Sequence, residues 1–121
     1  MLGVDVILCA IDDLIFSIKI STAAKGLGVD VYFERTPEMV VTRVREKRPS
    51  LVIFDLNSVR LNPMAAIAAM KADPELKAIT TLGYVSHVDS DAIEAARKVG
   101  IDQVLARSAF SARLGEILTN A

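Results

Sequence analysis

Residues Leu51–Asp55 form an uninterrupted apolar run that ends in a single carboxylate. The run has no alternation of polar and apolar residues and contains a β-branched pair, which favours a strand buried on both faces. Such strands belong to parallel sheets that are covered by helices on both sides. Because a strand of this kind ends where its sheet meets solvent, we expect Asp55 to lie at the mouth of a crevice.

A second apolar run, at residues 4–11, has the same character and releases the acidic pair Asp12-Asp13 at its end. Residues 29–33 form a shorter run in which polar and apolar residues alternate, which fits an edge strand better than a central one. With this edge strand and two further runs, the predicted strands number five. The three additional strands are residues 29–33, 79–85 and 103–106.

Helical spacing of apolar residues follows each predicted strand. The first helix is predicted over residues 14–27, capped by Asp12 or Asp13. Its inward face is predicted to comprise Phe16, Ile20, Ala23, Ala24 and Leu27. Leu14 and Ile18 fall nearer its polar side, as a small contact surface or as residues covered by a neighbouring loop. Two further helices are predicted to start at Thr36-Pro37 and Asn62-Pro63, each a capping residue followed by a first-turn proline. The fourth helix is predicted to be capped by Asp89 or Ser90, and the last to cover about Ala109 to Thr119.

Five strand–helix units predict an α/β protein with one doubly wound parallel sheet. Right-handed crossovers restrict the topology, and the open strand order 2-1-3-4-5 places the first and third strands side by side. The crevice of such a sheet lies at the carboxyl ends of those two strands. Asp12, Asp13 and Asp55 are all expected there. At 121 residues the chain is expected to form a single domain, residues 1–121, without an effector domain.

The bulk composition narrows the function classes. A net charge of −1 provides no global attraction to nucleic acid or to an acidic membrane. The single cysteine, Cys9, lies inside an apolar run and is expected to be a buried small hydrophobe. The longest apolar run, residues 6–11, is far shorter than the roughly 20 residues needed to span a bilayer. The first residues lack the pattern of a signal peptide, so we expect a cytoplasmic protein.

Three carboxylates in one crevice repel one another unless a cation or a proton compensates them. Mg²⁺ prefers oxygen ligands and commonly binds through one or two carboxylates together with phosphate oxygens. No glycine-rich phosphate loop is present, and no lysine or histidine nucleophile is evident. Asp55 is therefore the candidate to carry phosphate as an acyl phosphate.

Each acid also has a simpler interpretation. Taken alone, Asp12 and Asp13 are typical helix caps, and Asp55 is a typical residue of a strand-end turn. The convergence of all three on the predicted crevice is what favours a metal and phosphoryl site.

The sequence resembles the receiver domain of two-component response regulators over essentially the whole chain. The resemblance rests on the acidic pair after the first strand, the acid after the third, and the glycine before the fifth. It implies that Asp55 is the phosphoacceptor and that Mg²⁺ is held by Asp12, Asp13, Asp55 and the backbone carbonyl of Asn57.

The chain departs from the receiver pattern where receivers respond to phosphate. The hydroxyl residue that ends their fourth strand corresponds to Val85, with Ser86 one residue later as a replacement or as a plain loop serine. The lysine–proline pair after the fifth strand corresponds to Arg107-Ser108, and the aromatic switch position to Val104. Arg107 is accordingly expected to be a phosphate contact, a surface arginine, or a partner of the acidic cluster.

The resemblance implies a stand-alone receiver that accepts phosphate from a histidine kinase or phosphotransfer protein and signals to an unknown downstream protein. On this interpretation the chain is not an enzyme beyond slow autophosphorylation and autodephosphorylation. It would bind no nucleic acid and no membrane.

Two alternatives stay open. In one, a degenerate receiver acts without phosphorylation as an adaptor or dimerisation module, through Leu14, Ile18 and Phe110 if they are exposed. In the other, the chain is a small Mg²⁺-dependent phosphatase with Asp55 as nucleophile and His87 as base.

Overall fold

A computed structural model describes residues 6–86 and 89–121 and shows one five-stranded parallel sheet with helices on both faces. The strand order is 2-1-3-4-5, so the predicted α/β class and topology are confirmed. The strands are β1 (Val6–Ala10), β2 (Asp30–Phe33), β3 (Leu51–Asp55), β4 (Thr80–Val85) and β5 (Gln103–Ala106). The helices are α1 (Leu14–Leu27), α2 (Val40–Lys47), α3 (Pro63–Ala72), α4 (Ser90–Lys98), α5 (Arg107–Ala112) and α6 (Leu114–Thr119).

Alternate residues of the central strands supply two separate cores, because side chains of a strand point to opposite faces in turn. Leu8, Val52 and Phe54 pack with α2, α3 and α4 on one face. Cys9 and Ile53 pack with α1, α5 and α6 on the other. All five side chains are almost fully buried, which confirms the expectation for Cys9. Burial raises the pKa of the Cys9 thiol, so this residue stays a neutral hydrophobe.

The register of the central strands fixes which loops meet. Ala10 of β1 is paired with Phe54 of β3, one residue before Asp55. Asp55 is in turn paired with Tyr84 of β4. Consequently the loop after β1 and the end of β3 emerge side by side at the carboxyl edge of the sheet.

Helix α1 has the predicted limits. The N–H of Phe16 donates to the Asp13 carboxylate at 3.0 Å, and Gly28 ends the helix in the left-handed region with φ 70°. Leu27, predicted to face inward, is 48% exposed because the helix ends there and leaves its side chain beyond the edge of the core. Leu14 and Ile18 are 64% and 58% exposed, so they belong to the surface and are not covered by a neighbouring loop of the described residues.

Three other local predictions were wrong in detail. Thr36 and Asn62 precede their helices, but neither side chain makes a capping hydrogen bond. Asn62 instead occupies the left-handed region with φ 46°, and a 3₁₀ turn at Pro37–Met39 precedes α2. The final helix is divided at Arg113, whose backbone leaves the helical region (φ −102°, ψ 11°). Residues 4 and 5 of the first predicted strand lie outside the described residues.

No helix within the described parts of the chain combines the length and the apolar character needed to cross a bilayer.

Gly83 in β4 is a position where the packing requires glycine. A Cβ atom built there would lie 2.6 Å from Leu56 and 2.8 Å from Ile101, which is closer than carbon atoms pack. We predict that Gly83→Ala lowers the free energy of unfolding by about 1–3 kcal/mol, because the core must shift to admit the methyl group. Urea denaturation measures this loss.

Gly26 supplies the matched control. It lies in the last turn of α1, with nothing within 4 Å of an added Cβ. Gly26→Ala should therefore raise the free energy of unfolding by about 0.5–1 kcal/mol through helix propensity. Equal effects of the two substitutions would contradict the packing described here.

Candidate functional site

The candidate site lies at the carboxyl edge of the sheet, between the loops that follow β1, β3 and β5. Asp55 is the last residue of β3, and Asp12 and Asp13 connect β1 to α1. Arg107 begins α5 directly after β5. The structure thus places the three predicted acids and the predicted phosphate contact, Arg107, at the same edge of the sheet.

Asp13 has both carboxylate oxygens engaged. Oδ1 accepts a hydrogen bond from the N–H of Phe16, and Oδ2 accepts one at 2.8 Å from Nη2 of Arg107. The hydrogen bond from Phe16, together with the charge of Arg107, lowers the pKa of the Asp13 carboxyl. Asp13 is therefore a carboxylate at neutral pH.

Arg107 is held from two sides. Its guanidinium bonds to Asp13 and lies over the ring of Phe16, 4.4 Å from the ring centroid. Both contacts favour the charged, planar guanidinium over a lysine ammonium. Of the interpretations left open by the sequence, the ion pair with the acidic cluster is the one observed.

Asp12 has a cation of its own. Oδ1 of Asp12 lies 3.2 Å from Nη1 of Arg60, in the loop after β3. Both side chains are well exposed to solvent, so this pair holds Asp12 only weakly.

Asp55 is the acid with the least compensation. The N–H of Asn57 donates to its Oδ1 at 3.0 Å, and no other hydrogen bond reaches the carboxylate from the described residues. Burial is the main reason why the pKa of Asp55 is raised, and the charges of Asp13 and Asp12 add to it. The hydrogen bond from Asn57 and the charge of Arg107 only partly offset these effects. A cation beside Asp55 would offset this cost of ionising its carboxyl group.

Three aromatic side chains pack together next to the site. The ring of Tyr84, which is paired with Asp55 across the sheet, lies 4.9 Å from that of Phe16 and 5.1 Å from that of Phe110 by centroid, and the two phenylalanine rings are 5.6 Å apart. Phe110 is fully buried there and is therefore unavailable to a partner. The Tyr84 hydroxyl is also buried and has no hydrogen-bond partner among the described residues. Its pKa is raised, first by burial and then by the charge of Asp55.

Asn57 has a second role that the sequence did not reveal. Its side-chain Oδ1 accepts a hydrogen bond from the N–H of Ser86 at 2.7 Å, and its Nδ2 donates to Oδ2 of Asp89 at 3.2 Å. The loop after β3 is thereby tied to the end of β4 and to the start of α4. The only signal in the sequence is an amide two residues beyond Asp55, in a loop of several polar residues.

The positions at which receivers respond to phosphate lie near this site, but in this chain they are occupied by residues without the corresponding side-chain groups. Val85 is buried at the end of β4, and Val104 is half-buried in β5. Ser86 is exposed, and its backbone rather than its hydroxyl is engaged. His87 lies outside the described residues.

The donor chemistry of the site fits a hard divalent cation. Three carboxylates and the carbonyl of Asn57 form an oxygen-only set. That carbonyl accepts no hydrogen bond from the described residues. As the side chains stand, no group of three acidic, histidine or cysteine residues in the described ranges is close enough to bind a metal. Asp12 and Asp13 are paired with Arg60 and Arg107, which a cation would have to replace.

Solved structures of response regulators resemble the chain over nearly its whole length. The chemotaxis protein CheY4 of Vibrio cholerae superimposes with a TM-score of 0.83 at 14% identity, covering 98% of both chains. The phosphorylated cyanobacterial phytochrome response regulator RcpA does so at 0.79 and 21%, covering 98% of this chain and 91% of its own. The Mn²⁺-bound form of response regulator Rcp1 gives 0.76 and 18%, with 93% and 91% covered.

These likenesses show that the fold is the CheY-like receiver fold, which confirms the resemblance noted in the sequence. The sequence itself matches no protein-family model and no curated protein.

The raised pKa of Asp55 predicts a specific dependence of stability on pH. Ionising Asp55 costs folding free energy once the pH exceeds 3.8, the ordinary value for aspartate, and the cost is complete above the raised pKa. Asp55→Asn removes the charge and keeps the acceptor for Asn57. The variant should therefore be more stable than the wild type at neutral pH, and its advantage should shrink as the pH falls toward about 4.

Urea denaturation of both proteins at several pH values measures the difference. Asp30→Asn, at an exposed position of β2, is the matched control and should give no comparable gain. An advantage of Asp55→Asn that is constant with pH would show that the charge of Asp55 is not the cause.

Proposed function

We propose that the chain is a receiver that accepts a phosphoryl group on Asp55 from a histidine kinase or phosphotransfer protein. The observation that carries the proposal is the position of Asp55. It lies at the end of the central strand, under-compensated, beside Asp13 and Arg107. The receiver fold, shared with a response regulator solved in its phosphorylated form, supports the same function.

The chemistry follows from the contacts of Asp55. Oδ1 is engaged by the N–H of Asn57, which leaves Oδ2 as the nucleophile. Oδ2 forms a bond to the phosphorus of a phosphohistidine, and the phosphorus–nitrogen bond breaks. The imidazole leaves with the electron pair of that bond and takes a proton from water. The product is an aspartyl phosphate, and the guanidinium of Arg107, whose charge already acts on Asp55, would contact its oxygens.

Asp12, Asp13, Asp55 and the carbonyl of Asn57 would hold Mg²⁺. Its charge would offset the repulsion between the acids and the incoming phosphoryl group. Likeness to a Mn²⁺-bound response regulator supports a divalent cation at this place. Asp13 would bind it with the oxygen that now accepts from Arg107, which frees Arg107 for the phosphoryl oxygens. The hydroxyl of the exposed Ser86 is a further contact in this proposal.

The output would be a change in protein binding, with slow autodephosphorylation as the only other reaction. A cytoplasmic location and partners limited to proteins are in keeping with this role. One surface suited to protein contact adjoins the site, because Leu14 and Ile15 are 64% and 80% exposed immediately after Asp13.

The phosphorylation test uses mass. Incubation of the wild type with Mg²⁺ and acetyl phosphate should add the mass of one phosphoryl group. Omission of Mg²⁺ with excess chelator should abolish the gain. Asp55→Asn, which keeps the shape and the acceptor of the side chain, should gain nothing. An unmodified wild type, or the same gain in Asp55→Asn, would contradict the proposal.

A second candidate function is that of a degenerate receiver, an adaptor or dimerisation module that works without phosphate. The observation that favours it is the pairing of Asp12 with Arg60 and of Asp13 with Arg107. These two arginines already compensate the acids that a cation would use.

Calorimetric titration with Mg²⁺ separates the two functions. Under the first, the wild type binds Mg²⁺, and Arg107→Met binds it about three- to tenfold more tightly because the competing cation is gone. Arg97→Met, which alters an exposed arginine of α4, should bind like the wild type. No binding by either the wild type or Arg107→Met would favour the degenerate receiver.

A further inference from the structure

Asn57 connects the candidate acceptor to helix α4, to which Asp55 itself makes no hydrogen bond within the described residues. Its backbone N–H is bonded to Asp55, and its amide group is bonded to both Ser86 and Asp89. Asp89 is the N-cap of α4, where its Oδ1 accepts from the N–H of Ala92 at 3.1 Å. Three hydrogen bonds in series therefore lead from Asp55 at the end of β3 to the first turn of α4, and a fourth branches from Asn57 to Ser86 after β4.

Helix α4 is placed so that it can respond to a change at its N-terminus. Ala96 is its only fully buried residue, and all residues of this helix are described. A cavity of about 330 Å³ lies between α4 and β5, lined in part by Val85, Ile93 and Val104. The two valines leave this space open and carry no group that could form a hydrogen bond. The helix is thus held to the sheet mainly by Ala96 and by the partly buried Ala92 and Ile93, with the cavity beside it.

We propose that the amide side chain of Asn57 is the positioning residue that couples the state of Asp55 to helix α4. This inference rests on the proposed function and adds to it the path by which phosphorylation would be read. When Oδ2 of Asp55 is phosphorylated, the carboxylate becomes the neutral acyl part of an acyl phosphate, and its Oδ1 is a weaker acceptor for the N–H of Asn57. The loop then relaxes, the bond from Asn57 to Asp89 weakens, and the first turn of α4 loosens.

A double-mutant cycle measured by hydrogen exchange tests the coupling without requiring phosphorylation. The probe is the amide of Ile93, which donates to the carbonyl of Asp89 at 3.1 Å. The reference is the amide of Arg48, which donates to Val44 at the far end of α2. Asp55→Ala should accelerate exchange at Ile93 about three- to tenfold relative to the reference, the effect of one lost hydrogen bond.

The same substitution in an Asn57→Ala background should cause no further acceleration, because the link is already broken. Asp55→Asn keeps an acceptor oxygen, but a neutral one that accepts more weakly than the carboxylate, so its exchange rate at Ile93 should lie between those of the wild type and Asp55→Ala. Asp89→Ser keeps a capping oxygen for α4 but is too short to reach Asn57, so it should also abolish the response to Asp55→Ala.

Equal acceleration in the wild-type and Asn57→Ala backgrounds, or none in the wild type, would overturn the coupling. Failure of the proposed function has a different signature, namely no mass gain with acetyl phosphate. The exchange cycle gives its result in either case, so the two failures are distinguishable.

Discussion

The parallel pairing of β1 with β3 is the constraint on which the site depends. It places Ala10 beside Phe54, so the acids that follow each strand emerge at one edge of the sheet. Both strands are fully covered by helices, and sliding either one by a residue would exchange its two buried faces. The closeness of Asp13 and Asp55 is therefore set by the burial of the sheet, even though their like charges oppose it.

Arginine side chains partly offset the repulsion between these acids. Arg107 neutralises Asp13 and rests on Phe16, and Arg60 lies against Asp12, whereas Asp55 keeps an uncompensated share of its charge. A flexible lysine could exchange partners easily. A stacked guanidinium must give up both an ion pair and a ring contact before it can turn to a phosphoryl group. This difference in the cost of release makes Arg107 the residue that decides between the two functions considered above.

Much of this architecture could be predicted from sequence patterns. The unalternating runs at β1 and β3 indicate strands buried on both faces, and the position of Asp13 before an amphipathic stretch predicts its role as a cap. Asn62 and Leu27 were mispredicted because a left-handed backbone and an exposed helix end depend on the neighbouring chain. The bond between Arg107 and Asp13 joins residues far apart in sequence, and the sequence could only offer it as one of several interpretations. The amide bridge of Asn57 depends on where the loop before α4 returns, which no local pattern encodes.

We have proposed that the three acids share one site that a cation and a phosphoryl group can occupy together. A crystal structure grown with Mg²⁺ and beryllofluoride tests it most directly. We expect the cation among Asp12, Asp13, Asp55 and the carbonyl of Asn57, beryllofluoride on Asp55, and Arg107 turned from Asp13 toward the fluorines. A bare Asp55 with Arg107 still bonded to Asp13 would contradict it.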